Sequence, residues 1–222
     1  METLQERANK IKAEGIFLGG VPQRFEIAGR TLLITLLSEG LHPYSKVLDI
    51  GCGCLRGGYW LIHFLDKNRY FGIEPNKKML DAGLQYLLEP GLYEEKNPHF
   101  DNNSDFNFDV FKEKFDFLVA LSIWTHASKP QIQSMLDGFV STTDTKGVFI
   151  TSYYPATIFK PDYKGANWIG AGNPAQPHGM IHHSLGWIKA ECEKRGLVAQ
   201  EVPEKAYQYW NQTWLKISHK AA

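Results

Sequence analysis

Lys46-Val-Leu-Asp-Ile-Gly-Cys-Gly-Cys-Leu-Arg-Gly-Gly58 decides how this chain is read. A short β-branched and apolar run ends in a glycine turn that opens directly into a helix-like pattern, so the stretch reads as strand, ligand loop and helix. Gly51 and Gly53 let the backbone turn sharply and approach a ligand where a Cβ would collide with it. A second strand-like run, Tyr70-Phe-Gly-Ile-Glu74, follows, and its terminal acid stands about twenty residues on, where a carboxylate can accept both hydrogen bonds of a ribose diol. Together the two signals predict an adenosine site.

Charge decides which adenosine ligand suits the turn. Where a dinucleotide fold has a third glycine to receive a pyrophosphate, this chain has Leu55, and Asp49 stands immediately ahead of the turn. The leucine crowds a phosphate and the carboxylate repels it, whereas a ligand carrying a ribose, an ammonium and a sulfonium is favoured by Asp49 and Glu74. The run Asp49-Ile-Gly-Cys-Gly53, with Glu74 after it, closely resembles the first two cofactor motifs of class I S-adenosylmethionine-dependent methyltransferases. The resemblance extends from about Phe17 to the C-terminus. It implies an α/β, Rossmann-like, doubly wound and mostly parallel sheet with a C-terminal antiparallel hairpin and helices on both faces. It also implies S-adenosyl-L-methionine as cofactor, with S-adenosyl-L-homocysteine as product. The cofactor set it implies is Asp49, Gly51, Cys52, Gly53, Arg56, Glu74 and Pro75. Asp105 and Phe106 at the adenine join them, with Asp101 as the alternative register, and Leu121 and Ser122 lie beside the methionine part.

Composition narrows the class. At 222 residues, with 43% hydrophobic and 22% charged residues, the chain suits one soluble globular domain spanning 1–222. Lys+Arg 24 against Asp+Glu 24 leaves no net charge, so no nucleic-acid partner is expected. No apolar run is long enough for a bilayer, and Met1-Glu-Thr-Leu-Gln-Glu-Arg lacks the apolar core of a signal peptide. A cytoplasmic location with no membrane partner is the expectation; nothing specifies an oligomeric state. Cys52, Cys54 and Cys192 read as small buried thiols, and no metal site is expected, since the eight histidines offer no set around Cys52 and Cys54.

Along the chain, residues 1–45 read as a helical cap. A surface or lid helix spans Thr3 to Glu14, and a second helix from about Gln23 to Ser38 carries Phe25, Ile27, Leu32, Leu33, Leu36 and Leu37. Arg56 to Leu65 and Pro75 to Leu88 are predicted helices that alternate with the strands in βαβ rhythm. Phe115 to Ser122 is the clearest central strand. Ser128 with Gln131 forms a capping box opening a helix through Val140, and Gly147 to Tyr153 is the next strand. Tyr154 to His183 is rich in proline and glycine and reads as a lid or acceptor-binding insertion. Ser184 caps a helix to Arg195, Leu197 to Val202 is a strand, and Tyr207 to Ile217 pairs with it antiparallel.

Methyl transfer from a sulfonium needs a general base only when the nucleophile must lose a proton, as a hydroxyl does. His126 is the first candidate, followed by His182 and His183, and each competes with a purely structural place in a cap or loop. The candidate acceptor wall is Tyr153, Tyr154, Phe159, Tyr163 and Trp168, with His178. Leu121-Ser-Ile-Trp124 stands where amino-group methyltransferases of nucleic acid or protein carry an Asn-Pro-Pro-Tyr motif. The expected acceptor is therefore a hydroxyl of a small molecule or saccharide. Methylation of a peptide or protein side chain, or a catalytically silent cofactor-binding module, are the alternatives.

Overall fold

The strand that ends in the glycine turn, β1 (Val47–Ile50), is buried along its whole length, Asp49 included, so the turn grows out of the core. The structure is a computed structural model and describes residues 2–170, 179–202 and 212–221. It divides the chain into two compact units, Met1–Ser104 and Asp105–Ala222.

In the first unit, β1 is followed by α3 (Gly58–Phe64), β2 (Tyr70–Ile73), α4 (Lys77–Tyr86), α5 (Leu92–Lys96) and β3 (His99–Asp101). Ahead of it stand α1 (Leu4–Ala13) and α2 (Phe25–Ser38). β2 pairs with β1 and with β3, both parallel, so that Ile73 stands opposite Ile50 on one side and Asp101 on the other. Gly72 is needed between them, since a Cβ there would meet Cys52 Sγ and the Phe100 ring at 2.9 Å. Thr3 and Glu6 form the capping box that starts α1. Ala8 and Ile11 of that helix are fully buried, and Arg7 reaches Leu87 O and Glu89, so α1 is packed on its unit rather than riding on its surface. On α2 the buried stripe is Phe25, Ala28, Leu32 and Leu36, while Ile27 and Leu37 face solvent. The helix after β2 starts later than Pro75 implies, because Asn76 supplies the cap by accepting the Met79 N–H.

The second unit holds β4 (Phe115–Ala120), α6 (Lys129–Thr142), β5 (Thr143–Pro155), β6 (His182–His183), α7 (Leu185–Glu193), β7 (Leu197–Glu201) and β8 (Thr213–His219). β4 and β5 are parallel, with a register shift between Phe115 and Phe117. β8 runs antiparallel to both β5 and β7, which is the expected C-terminal hairpin; its predicted beginning at Tyr207 lies outside the described residues. Within the two units, β1–β2, β2–β3, β4–β5 and β5–β6 pair parallel and β5–β8 and β7–β8 antiparallel, in keeping with the mostly parallel mixed sheet that the motif order predicts. Trp124, Phe139 and Phe149 are fully buried, with Trp124 and Phe139 packed against Phe149 at centroid distances of 5.8 and 5.7 Å. Burying a side chain of this size contributes roughly 1.5–3 kcal/mol. Ser128 and Gln131 cap α6 as expected, with Ser128 N and Oγ both donating to Gln131 Oε1.

The described part of the segment from Tyr154 to His183 has backbone partners. β6 pairs with Tyr154 and Pro155, and Asp162 bridges to His182. The N–H groups of Ile169 and Ile181 donate to His126 O and Thr125 O, so the described part of the segment is tied to the turn after β4.

The turn after β1 depends on α4 coming close. A Cβ on Gly83 would stand 2.5 Å from Cys54 O and 2.6 Å from its carbonyl carbon, contacts with backbone that no rotamer change relieves. Gly83→Ala is expected to cost about 1–3 kcal/mol of stability through overpacking, which a urea denaturation curve reads directly.

Candidate functional site

In the first unit the turn after β1 is built from left-handed residues. Gly51 has φ 71° and Gly53 φ 59°, and Leu55 follows at φ 63° with its side chain fully buried. The N–H groups of Gly51 and Cys52 both donate to Ile73 O, at 2.8 and 3.1 Å, which fastens the turn to the end of β2. Glu74 closes it from the other side. Its Oε2 accepts the Gly53 N–H at 2.9 Å and its Oε1 the Asn76 N–H at 2.8 Å. Asn102 Nδ2 donates to Glu74 O, and Glu74 N donates to Asp101 O. The two acids expected from the motif are therefore close neighbours at the carboxyl ends of β1 and β2.

Both acids are short of water. Asp49 is 5% exposed, and burial pushes its carboxyl up to about 6. The nearby Glu74 charge adds to that rise, against a hydrogen bond from Tyr70 Oη at 2.8 Å and the charge of Arg56. Burial also raises the Glu74 carboxyl, while the Asn76 and Gly53 N–H groups lower it. Arg56 donates to Gly19 O at 2.8 Å, which ties the segment before α2 to the turn. The thiols of Cys52 and Cys54 are buried and pushed up by that burial, Cys54 to about 11, so neither is a nucleophile at neutral pH. Pro75 is exposed beside Glu74.

Of the two registers at β3, Asp101 is the residue on the strand, level with Ile73, and it accepts both N–H and side-chain amide bonds from Asn103. Asp105 is exposed and Phe106, at φ 60°, is half-buried; both belong to the second unit.

In that second unit β4 ends at Ala120, and Leu121 and Ser122 begin a tight turn, Ser122 at φ 59°. Ser122 N donates to Ser152 Oγ at 2.8 Å. Gln212 then joins the two serines, its Nε2 donating to Ser122 Oγ at 2.9 Å and its Oε1 accepting from Ser152 Oγ at 2.6 Å. Ser152 and Gln212 are buried, and neither belongs to a local motif, so sequence reading missed them.

The three histidines separate by environment. His126 Nδ1 is 2.8 Å from Ile169 O and 3.1 Å from Gly179 O, both acceptors, so Nδ1 carries the proton and Nε2 is left as the ring's acceptor. Burial holds its pKa below the usual histidine value, and its ring lies 5.5 Å from that of Trp168. His182 lies beside Tyr154, with ring centroids 5.4 Å apart and the planes tilted by 33°. Burial and the Lys160 charge lower its pKa. His183 is fully buried and donates from Nε2 to Ala127 O at 3.0 Å, which clamps the turn after β4 from the core side. Tyr153, at 1% exposure, is a core side chain. Tyr154, Tyr163 and Trp168 are half-buried, Phe159 is almost fully exposed, and His178 lies outside the described residues.

Among the described residues no group of three or more His, Cys, Asp or Glu is placed to hold a metal ion, and no helix is long and apolar enough to cross a membrane.

No family model matches the chain. An uncharacterized protein of Rickettsia prowazekii is 26% identical over 121 residues, 51% of this chain and 46% of that protein, so the chain spans about half the length of the curated relative it matches. Solved structures resemble it over more of its length. Magnesium protoporphyrin IX methyltransferase from Synechocystis, with bound SAH, superposes with a TM-score of 0.62 at 16% identity, covering 90% of this chain and 85% of that one. An S-adenosylmethionine-dependent methyltransferase from Clostridium acetobutylicum gives 0.63 at 11% identity, with 87% and 91% covered. An O-methyltransferase family protein from Burkholderia thailandensis gives 0.60 at 11%, with 90% of this chain and 58% of that chain covered. At such identities the likeness is one of fold, and the fold is that of the class I S-adenosylmethionine-dependent methyltransferases.

Proposed function

We propose that this chain is an S-adenosyl-L-methionine-dependent methyltransferase whose acceptor is a hydroxyl of a small molecule or saccharide. The observation that carries the cofactor half is the Glu74 carboxylate closing a left-handed glycine turn at the end of β1, with a second carboxylate, Asp49, buried beside it. The donor set fits. Two acids and two positive-φ glycines suit a ligand with a diol and positive charge, and they oppose a pyrophosphate. Glu74 would hold the ribose, since each of its oxygens keeps acceptor capacity beyond the one N–H it already takes. Asp49 would face the positive charge of the ligand. When bound, the cofactor supplies a methyl group already activated by its sulfonium.

The chain's remaining work is then to orient the acceptor, exclude water and take one proton. His126 is the base in this reading: neutral at pH 7, it keeps Nε2 as acceptor because Nδ1–H is spent on backbone carbonyls. Trp168, Tyr154 and His182 supply flat faces for a small acceptor. The O-methyltransferase family protein among the structural neighbours supports a hydroxyl acceptor.

Calorimetry with S-adenosyl-L-methionine, S-adenosyl-L-homocysteine and NAD tests the cofactor; binding of NAD alone would sink the reading. Glu74→Ala is expected to weaken cofactor binding by about 1.5–3 kcal/mol, the usual worth of hydrogen bonds to a charged acceptor. His126→Asn keeps an N–H for Ile169 O while removing the base. It is expected to lower turnover of a hydroxyl acceptor by about 10²–10⁴-fold with cofactor affinity unchanged, and full activity in that variant would remove His126 from the chemistry.

A further inference from the structure

The first strand-turn contains a feature that neither motif accounts for. Tyr70, the first residue of β2, is 2% exposed, and its hydroxyl reaches Asp49 Oδ2 on the neighbouring strand at 2.8 Å. A phenylalanine would fill the same core and would keep the edge contact that Tyr70 makes with Phe100 at 5.9 Å. Burying the extra hydroxyl costs free energy unless it is bonded, so what the tyrosine adds over phenylalanine is its hydrogen bond. The fold also makes room for it. A Cβ on Gly58 would stand 2.5 Å from the Tyr70 oxygen, so the first residue of α3 has to be glycine for the phenol to reach the acid.

We propose that Tyr70 is a positioning residue for Asp49, its hydroxyl holding the buried carboxylate ionised and oriented for a cationic ligand, so that cofactor binding is coupled to release of a proton from this cradle. The inference rests on the cofactor reading above. The groups facing Asp49 are few. Tyr70 comes from β2, Cys52 and Arg56 from the turn, and Glu74 from the end of β2. Arg56, bonded to Gly19 O, favours the ionised form through its charge, while Glu74 is a like charge. The hydrogen bond that favours the ionised form therefore comes from a neutral phenol, which adds no positive charge to compete with a cationic ligand. A lysine or arginine paired directly with Asp49 would ionise it more strongly and would cancel the charge a sulfonium or ammonium needs.

The sign of the pH effect follows. Burial lifts the Asp49 carboxyl to about 6 in the ligand-free fold, and a bound cation favours its ionised form, so affinity falls as pH falls through that value. Calorimetry with S-adenosyl-L-methionine from about pH 5 to about pH 8.5 is expected to show affinity level above about pH 7 and roughly tenfold weaker by about pH 5. Tyr70→Phe moves that midpoint upward: binding is weakened at neutral pH and recovers towards the wild-type value at about pH 8.5. A residue that merely packs would not recover. Asp49→Asn removes the step, and whatever pH dependence is left belongs to Glu74. The ligand-free proteins give a second readout by urea denaturation. Because the folded pKa is raised, stability falls as pH rises through about 4 to 6. Asp49→Asn flattens that fall, and Tyr70→Phe extends it to higher pH. Gly58→Ala, whose methyl displaces the hydroxyl without deleting it, moves both midpoints the same way and serves if Tyr70→Phe does not fold. Coincident midpoints for the wild type and the Tyr70 variant in both experiments overturn the proposal. Absence of S-adenosyl-L-methionine binding at every pH overturns the cofactor reading instead, and the denaturation series still decides whether Tyr70 controls Asp49.

Discussion

The fold around the candidate site hangs on one carboxylate. Glu74 takes the N–H of Gly53 with one oxygen and that of Asn76 with the other, so a single side chain closes the turn after β1 and fixes the entry to α4. Both donors lie where helix starts and tight turns leave N–H groups without partners. Satisfying them with an anion is worth more than satisfying them with a neutral oxygen. The geometry then propagates. Ile73 O receives the N–H groups of Gly51 and Cys52, and Asn76 caps the helix whose Gly83 lies close against Cys54. The turn is thus held from three directions by groups that a bound diol would leave in place.

That turn was legible because its determinants are local. A strand, two glycines and an acid at fixed spacing lie within one βαβ unit, and the spacing itself carries the geometry. The capping box at Ser128 and Gln131 was legible for the same reason, since three residues of chain separate its partners. What sequence could not supply is tertiary. Tyr70 looks like one more strand residue until Asp49 is placed beside it, and Gln212 looks like a polar residue before a strand until Ser122 and Ser152 close on it. Asn76 was the exception that local reading should have found, because an Asx three residues before Met79 is an ordinary helix start.

The histidines show why residue type alone does not assign a base. His182 and His183 are consecutive on β6, and strand alternation puts one beside Tyr154 and buries the other completely. His126 differs from both because Ile169 and Gly179 both reach its ring. Its backbone oxygen accepts from Ile169 N, and its ring nitrogen donates back to Ile169 O. Gly170, at φ 105°, gives that ring the space it occupies. Such a two-way tie fixes the tautomer, and a fixed tautomer is the requirement for a neutral imidazole to act as a base. The same ties explain why a proline- and glycine-rich stretch that looks irregular in sequence has backbone partners in the fold: they come from the turn after β4, a separation that no local pattern encodes.

Strain is placed with the same economy. Leu55 and Ser122 are left-handed although neither is glycine, and each follows the carboxyl end of a parallel strand, β1 in one unit and β4 in the other. Each costs on the order of 1–3 kcal/mol and persists only where surroundings over-determine it. For Leu55 the surroundings are apolar: the side chain is fully buried, and its burial offsets the backbone cost. Ser122 is held by polar surroundings instead, since its N–H is bonded to Ser152 and its hydroxyl to Gln212. The two turns therefore hold the same uncommon backbone by opposite means. An apolar anchor leaves the polar groups of its turn, Glu74 and Asp49 among them, out of the work of holding the strained residue. A polar anchor spends the serine's own hydrogen-bonding capacity on the fold. By that logic Ser122 shapes the end of β4 through its backbone, and its hydroxyl, bonded to Gln212, serves the turn.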